Sequence, residues 1–168
     1  MQSLLDATIP ADLAQDSAEL AEAINDFTRV LQFRDRDRVC CYDISVTDCH
    51  ALKLLSERGS LTVNDLAAAL YLDKSTTSRV ARGLEARKYV RKARDQADGR
   101  QVKVEITEGG QSLVSKVMAG LAAEYAVALQ DLSPEVRRST VDVLNQITAA
   151  LSARIVSEGG RSTLGSKT

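Results

Sequence analysis

TVNDLAAALYLDKSTTSRVARGLEARKYVRKARDQADGRQVKVEI, from Thr62 to Ile106, decides the fold. Thr62 is placed to cap a first short helix, and Asp65, three residues on, suits the positive end of its dipole. Leu66, Ala67 and Leu70 supply an apolar stripe, and the small side chains of Ala67 and Ala68 let a second helix come close. Leu70, Tyr71 and Leu72 form the turn. Asp73 is the next N-cap, and the second helix is expected from Lys74 to about Arg87.

At 3.6-residue spacing this second helix has two faces. Thr77, Val80, Ala81 and Leu84 fall together and pack inward. Ser75, Thr76, Arg79 and Arg82 point the other way. The hydroxyl cluster Ser75, Thr76 and Thr77, at a helix N-terminus, suits phosphate. The planar fork of Arg79 suits a guanine edge. An ordinary amphipathic helix with a solvated charged face has the same pattern, so the segment after the helix decides between the two readings.

Two strands come next, Tyr89 to Arg94 and Gln101 to Ile106. The second alternates cleanly, with Val102, Val104 and Ile106 on one side and Gln101, Lys103 and Glu105 on the other. Asp95 to Arg100 makes the tip, with Asp98-Gly99 as the turn signal. An arginine at such a tip suits a narrow, electronegative minor groove, which assigns Arg100 there. Arg82 and Arg94 are assigned to the phosphate backbone. Two short helices followed by a basic hairpin make a winged helix-turn-helix, which places one helix in a DNA major groove.

Charge agrees. From Lys74 to Lys103 there are ten basic and three acidic residues, a net +7, in a chain whose total is −1; the remainder therefore carries −8. Positive charge gathered on the helix-turn-helix and wing is read as phosphate attraction.

LDKSTTSRVARGLEARKYVRKARDQADGRQVKVEITEGG resembles the MarR (multiple antibiotic resistance regulator) family of winged-helix transcription factors. The matching pieces are Leu72 to Arg79 at the start of the recognition helix, Leu84 before a basic end, Asp98-Gly99-Arg100 at the wing, and Ile106-Thr107-Glu108-Gly109-Gly110 after it. Helix order and length extend the resemblance over nearly the whole chain. There are two departures. Lys88 stands where the family often has glycine before the first wing strand, and Gly99-Arg100 where it often has two arginines. The resemblance implies a homodimer.

Outside this stretch, 168 residues suit one domain or one small domain with attached helices. Apolar content of 44% is enough for a core, and 4% aromatics with no Trp point to an aliphatic, helix-rich interior. No apolar run is read as membrane-spanning, and Met1 to Pro10 lacks the basic start and apolar core of a leader. A cytoplasmic protein with no membrane partner is expected. No glycine-rich phosphate loop, C-x-x-C pair or histidine-centred constellation occurs, so an enzyme is not expected.

Pro10 to Asp16 reads as a lead-in. Leu20, Ala23, Ile24, Phe27, Val30 and Leu31 mark a first long helix from about Ser17 to Arg36. Then VCCYDISVTDCHAL places Cys40, Cys41, Cys49 and the single histidine, His50, within eleven residues. Thr47 is read as the cap of the next helix, with Cys49 and His50 in its first turn, where the dipole favours a thiolate. Three readings stay open for the cysteines: small packed hydrophobes, a soft-metal or metalloid site of three thiolates, or an oxidant sensor forming a disulfide. Zinc fits less well, with no C-x-x-C and one local imidazole. His50 and Tyr42 are more simply packing residues than ligands.

Gly59 stops the cysteine-bearing helix, and Leu61 begins the wing domain as a strand residue pairing with the hairpin. Thr107 caps a long helix with Leu113, Val114, Val117, Met118, Leu121, Ala122, Tyr125 and Leu129 on its apolar side. Ser133-Pro134-Glu135 restarts the chain as a last helix carrying Val136, Val143, Leu144, Ile147, Leu151 and Ile155. That helix is expected to end at Gly159-Gly160.

The fold class is mainly α with a small β-hairpin wing: a winged helix-turn-helix with N- and C-terminal dimerisation helices. The boundaries are 1–38 for the N-terminal helix, 39–106 for the winged helix-turn-helix with its cysteine-rich lead-in, 107–160 for the C-terminal dimerisation helices and 161–168 for a mobile tail. The expected function is a dimeric DNA-binding transcriptional regulator on a pseudo-palindromic double-stranded operator. It is read as a repressor released by a small-molecule inducer, a soft metal or metalloid, or thiol oxidation. A winged-helix module that binds protein and not DNA is the alternative.

Overall fold

The computed structural model describes residues 10–39, 43–94 and 102–162. In chain order the elements are α1 (Ala11–Val39), α2 (Val46–Arg58), β1 (Leu61–Thr62), α3 (Val63–Leu70), α4 (Lys74–Ala86), β2 (Val90–Arg94), β3 (Val102–Ile106), α5 (Glu108–Leu129) and α6 (Pro134–Ser162). They fall into two compact units, Met1–Met118 and Ala119–Thr168. The division lies inside α5, downstream of the residue 107 boundary read from the sequence.

The first unit is built on three antiparallel strands in the order β1-β3-β2. Leu61 faces Val104, and Val90 to Arg94 run against Ile106 to Val102. Leu61 thus pairs with the hairpin as its position suggested. The alternation expected in β3 centres on Val104, which is fully buried, while Val102, near the end of the ladder, is exposed. Helices close over the sheet with Ala51, Leu52 and Leu55 of α2, Leu66 and Ala67 of α3, Ala81 and Leu84 of α4, and Leu113, Val114 and Val117 of α5. Among the described residues the buried apolar side chains are all aliphatic, in line with the low aromatic content.

Local signals set most boundaries. Thr62 caps α3, its hydroxyl accepting the Asp65 N–H at 3.1 Å. α3 ends on Tyr71 in the left-handed region (φ 55), its N–H returning to the carbonyls of Ala67 and Ala68. Gly59 ends α2 at φ 77, where a side chain would be strained. Thr107 locks the wing to α5. Its hydroxyl donates to the Lys88 carbonyl at 2.8 Å and accepts the Gly110 N–H at 3.1 Å.

Four expectations change. α1 begins at Ala11, directly after Pro10, so the lead-in is helical; the Ala14 N–H already reaches the Pro10 carbonyl at 2.9 Å. The cap of α2 is Ser45, not Thr47. Ser45 and Asp48 form a reciprocal capping box, with N–H to side-chain distances of 3.0 and 2.9 Å. α6 passes through Gly159-Gly160 to Ser162, because glycine weakens a helix without forbidding it. Finally, α5 has the length and composition to cross a bilayer. Lys116 and Glu124 interrupt it, and Leu113, Val114 and Val117 in its N-terminal half are buried in the first unit.

In the second unit, α6 starts at the expected Ser133-Pro134-Glu135 restart, with the Val136 N–H 3.4 Å from the Ser133 hydroxyl. Val136, Val141, Val143, Leu144, Leu151 and Ile155 are exposed in the single chain. So, in the first unit, are Leu13, Leu20, Ile24, Phe27 and Val30 of α1.

Candidate nucleic-acid interface

α4 is held by its inner face. Thr77, Ala81 and Leu84 are buried, and Val80 is half-buried beside them. Thr77 is fully covered, and its hydroxyl donates to the Asp73 carbonyl at 3.0 Å. It therefore leaves the set of DNA-facing residues to which its hydroxyl had assigned it: in the 3.6-residue repeat it falls on the same side as Ala81 and Leu84. Ser75, Arg79 and Arg82 are exposed and Thr76 half-buried on the opposite side.

The N-terminus of α4 is already occupied by a carboxylate. Asp73 accepts the Ser75 hydroxyl at 2.6 Å, the Thr76 hydroxyl at 2.7 Å and the Thr76 N–H at 2.8 Å. The Ser75 hydroxyl first, then the Thr76 hydroxyl and N–H, hold its carboxyl well below the usual carboxylate range. A carboxylate here matches the positive end of the helix dipole and opposes a phosphate at the same spot. It also takes the hydroxyl protons of Ser75 and Thr76, leaving only their lone pairs for other partners. The hydroxyls thus stand as acceptors beside the arginines, not as phosphate donors.

Arg79 reaches back one turn, its Nη2 donating to the Thr76 hydroxyl at 3.0 Å. The Nε of Arg82 donates to the Ser78 carbonyl at 3.3 Å. Arg94, at the outer end of β2, is exposed. Arg100, the wing tip from Asp95 onward, Cys40, Cys41 and Tyr42 lie outside the described residues.

Pairing inside the unit refines the charge count. Arg87 is bound to Asp48 at 3.0 Å, donates to the Gly83 carbonyl at 2.9 Å, and also donates to the Asp43 carbonyl. Arg91 pairs with Glu105 at 3.0 Å, and Lys92 with Glu85 at 2.6 Å. Asp48 and Glu105 lie outside the stretch that carries +7, so spacing in sequence hid their partners. Arg87 in particular is a structural residue: it ties the C-terminal end of α4 to the capping box of α2. An arginine that follows a helix and has a distant acidic partner gives no sequence signal of that role.

Cys49 is half-buried and its N–H is bonded to the Ser45 carbonyl at 3.0 Å. With the cap moved to Ser45, Cys49 sits at the fourth helical position and its N–H is no longer one of the unsatisfied donors. His50 is exposed. Among the described residues no group of three histidine, cysteine or acidic side chains converges.

Residues 42–101 match the family model described as MarR family. The chain is 28% identical over 119 residues to the HTH-type transcriptional regulator TtmR of Methylorubrum extorquens, covering 71% of this chain and 60% of that protein. It is 24% identical over 106 residues to the HTH-type transcriptional regulator SarZ of Staphylococcus aureus, covering 63% of this chain and 68% of that one. Its fold is similar to that of a MarR family protein from Bacillus stearothermophilus, with a TM-score of 0.75 at 25% identity over 83% of this chain and 97% of that one. With the three-stranded wing, the capped helix pair and the exposed arginine face in place, the chain carries a winged helix-turn-helix domain similar to those of the MarR family.

Proposed function

We propose that this protein is a homodimeric, sequence-specific DNA-binding repressor that reads a pseudo-palindromic operator. The observation that carries the reading is the outer face of α4, where Arg79 and Arg82 stand clear of the core beside the basic strand ending in Arg94. Arg79, with Ser75, faces base edges, and the Thr76 hydroxyl is bonded to Arg79. Arg82 and Arg94 hold phosphates, and Arg100 enters the minor groove. Phosphate contacts set the register and most of the salt dependence, and base contacts set the sequence.

The uncovered apolar faces of α1 and α6 support dimerisation. A two-fold pair sets two recognition helices about one DNA turn, roughly 34 Å, apart. Release of the operator then requires a signal with different affinity for two helix spacings. A thiol or soft-metal event at Cys40, Cys41 and Cys49, or an organic inducer between the helices, is the form that signal takes.

The test is selection of a binding duplex from a random pool, followed by affinity measurements across salt concentration. Arg79→Ala is expected to lose about 1–3 kcal/mol on the selected duplex and to relax base preference. Unchanged binding would remove α4 from the groove. Wild-type protein that ignores every duplex at low salt would support the protein-interaction alternative. For the signal, arsenite, mercury or peroxide is added to the complex of wild type and of a triple Cys→Ser variant. Equal responses eliminate the thiol model.

A further inference from the structure

Asp73, Thr76 and Arg79 stack at i, i+3 and i+6 on one side of α4, and their hydrogen bonds form a chain with only one possible polarity. A carboxylate can only accept and a guanidinium can only donate. The Thr76 hydroxyl lies between them, 2.7 Å from Asp73 Oδ2 and 3.0 Å from Arg79 Nη2. Its single proton must go to Asp73, which turns a lone pair toward Arg79. The chain is anchored at the N-cap, where Asp73 also holds the Thr76 N–H at 2.8 Å. It ends on an exposed guanidinium that uses one donor on Thr76 and keeps the rest for an outside acceptor.

Resting on the DNA-binding reading above, we propose that Thr76, oriented by Asp73, is a positioning residue that aims the Arg79 fork and thereby determines base specificity. A free arginine side chain must lose its rotamer freedom on docking, and one already bound at Nη2 has lost much of it. The gain applies where the fork must meet two acceptors at once, as on a guanine edge. It matters less for phosphate, whose oxygens can be met from many directions and by a point charge as well as by a fork. Thr76 therefore sharpens discrimination and leaves non-specific attraction unchanged.

The experiment uses the full chain, a duplex enriched from a random pool and a scrambled duplex of the same length, each titrated at several salt concentrations. Thr76→Val removes the hydroxyl at nearly constant shape, Thr76→Ser retains it, and thermal unfolding checks that each variant is folded. Thr76→Val is expected to bind the enriched duplex about tenfold more weakly, the scale of one hydrogen bond to a charged group. Binding to the scrambled duplex and the salt slope stay unchanged, and Thr76→Ser restores the loss. In an Arg79→Ala background Thr76→Val adds nothing, because the side chain it aims is gone. Equal weakening on both duplexes, or losses that multiply in the double variant, overturns the proposal while leaving DNA binding intact. Wild type that binds neither duplex overturns the DNA-binding reading itself, and this proposal with it.

Discussion

Lys88 holds a backbone conformation that suits glycine. It lies at φ 63 between the end of α4 and the start of β2, with its carbonyl accepting the Thr107 hydroxyl. A side chain in the left-handed region costs about 1–2 kcal/mol, part of which glycine gives back through its freer unfolded chain. Lys88→Gly is therefore expected to stabilise by about 0.5 kcal/mol in denaturant unfolding, a direction opposite to that of most substitutions. The paired glycines after the wing behave differently from each other. A Cβ on Gly110 would lie 2.2 Å from the Tyr89 carbonyl oxygen and 2.8 Å from Ile106 Cγ1, whereas one on Gly109 meets nothing closer than 3.6 Å. Gly110→Ala is expected to cost about 3 kcal/mol or more, because backbone must move. Gly109→Ala, at an open helical position, is expected to be neutral or slightly stabilising. Comparing the two unfolding midpoints isolates close approach from helix propensity. The sequence displayed Gly-Gly as one motif; only the distance to Tyr89 separates their roles.

At the scale of the element, helix starts dominate. Capping hydroxyls and carboxylates at Thr62, Asp73, Thr107 and Ser133 were legible because their partners lie three residues on. Ser45 is easily passed over for Thr47 because both are hydroxyl residues in the same short run; the acid three residues after Ser45, Asp48, is the signal that separates them. Two of these starts carry a pH dependence. The Asp73 carboxyl is held low by the hydroxyls of Ser75 and Thr76, and that of Glu135 by its own backbone N–H and then by Ser133. A carboxylate depressed in the folded state adds stability that is fully present above its unfolded value, near pH 4, and is lost as pH falls through the folded value. Thermal unfolding from pH 5 downward is expected to show a falling midpoint, and Asp73→Asn is expected to flatten part of that fall. A midpoint that rises on acidification would contradict the assignment of these caps.

At the scale of the molecule, one chain leaves too much apolar surface in water. Leu20, Ile24, Phe27 and Val30 of α1 and Val143, Leu144, Leu151 and Ile155 of α6 are each more than a third exposed. Large exposed apolar faces are a common feature of interaction surfaces. For a dimer bound through these faces, the unfolding temperature is expected to rise with protein concentration, and Leu144→Glu is expected to abolish that rise. Calorimetry over a concentration series, with sedimentation on the same samples, is the measurement. A concentration-independent midpoint for a wild type that sediments as a monomer would contradict it.

Period and local chemistry were enough to determine the helix pair, the hairpin strands, the strand residue Leu61 and the resemblance to a family, because each depends on residues a few positions apart. The burial of Thr77 was already present in the same periodicity that placed Ala81 and Leu84 inside. Tertiary structure alone decided which arginines are available. Arg87 finds Asp48 across 39 residues and Arg91 finds Glu105 across 14, so charges that add up as one basic stretch are partly cancelled in space. It alone also showed Asp73 taking the hydroxyl protons of Ser75 and Thr76, since hydrogen-bond direction depends on which groups meet and composition does not specify that.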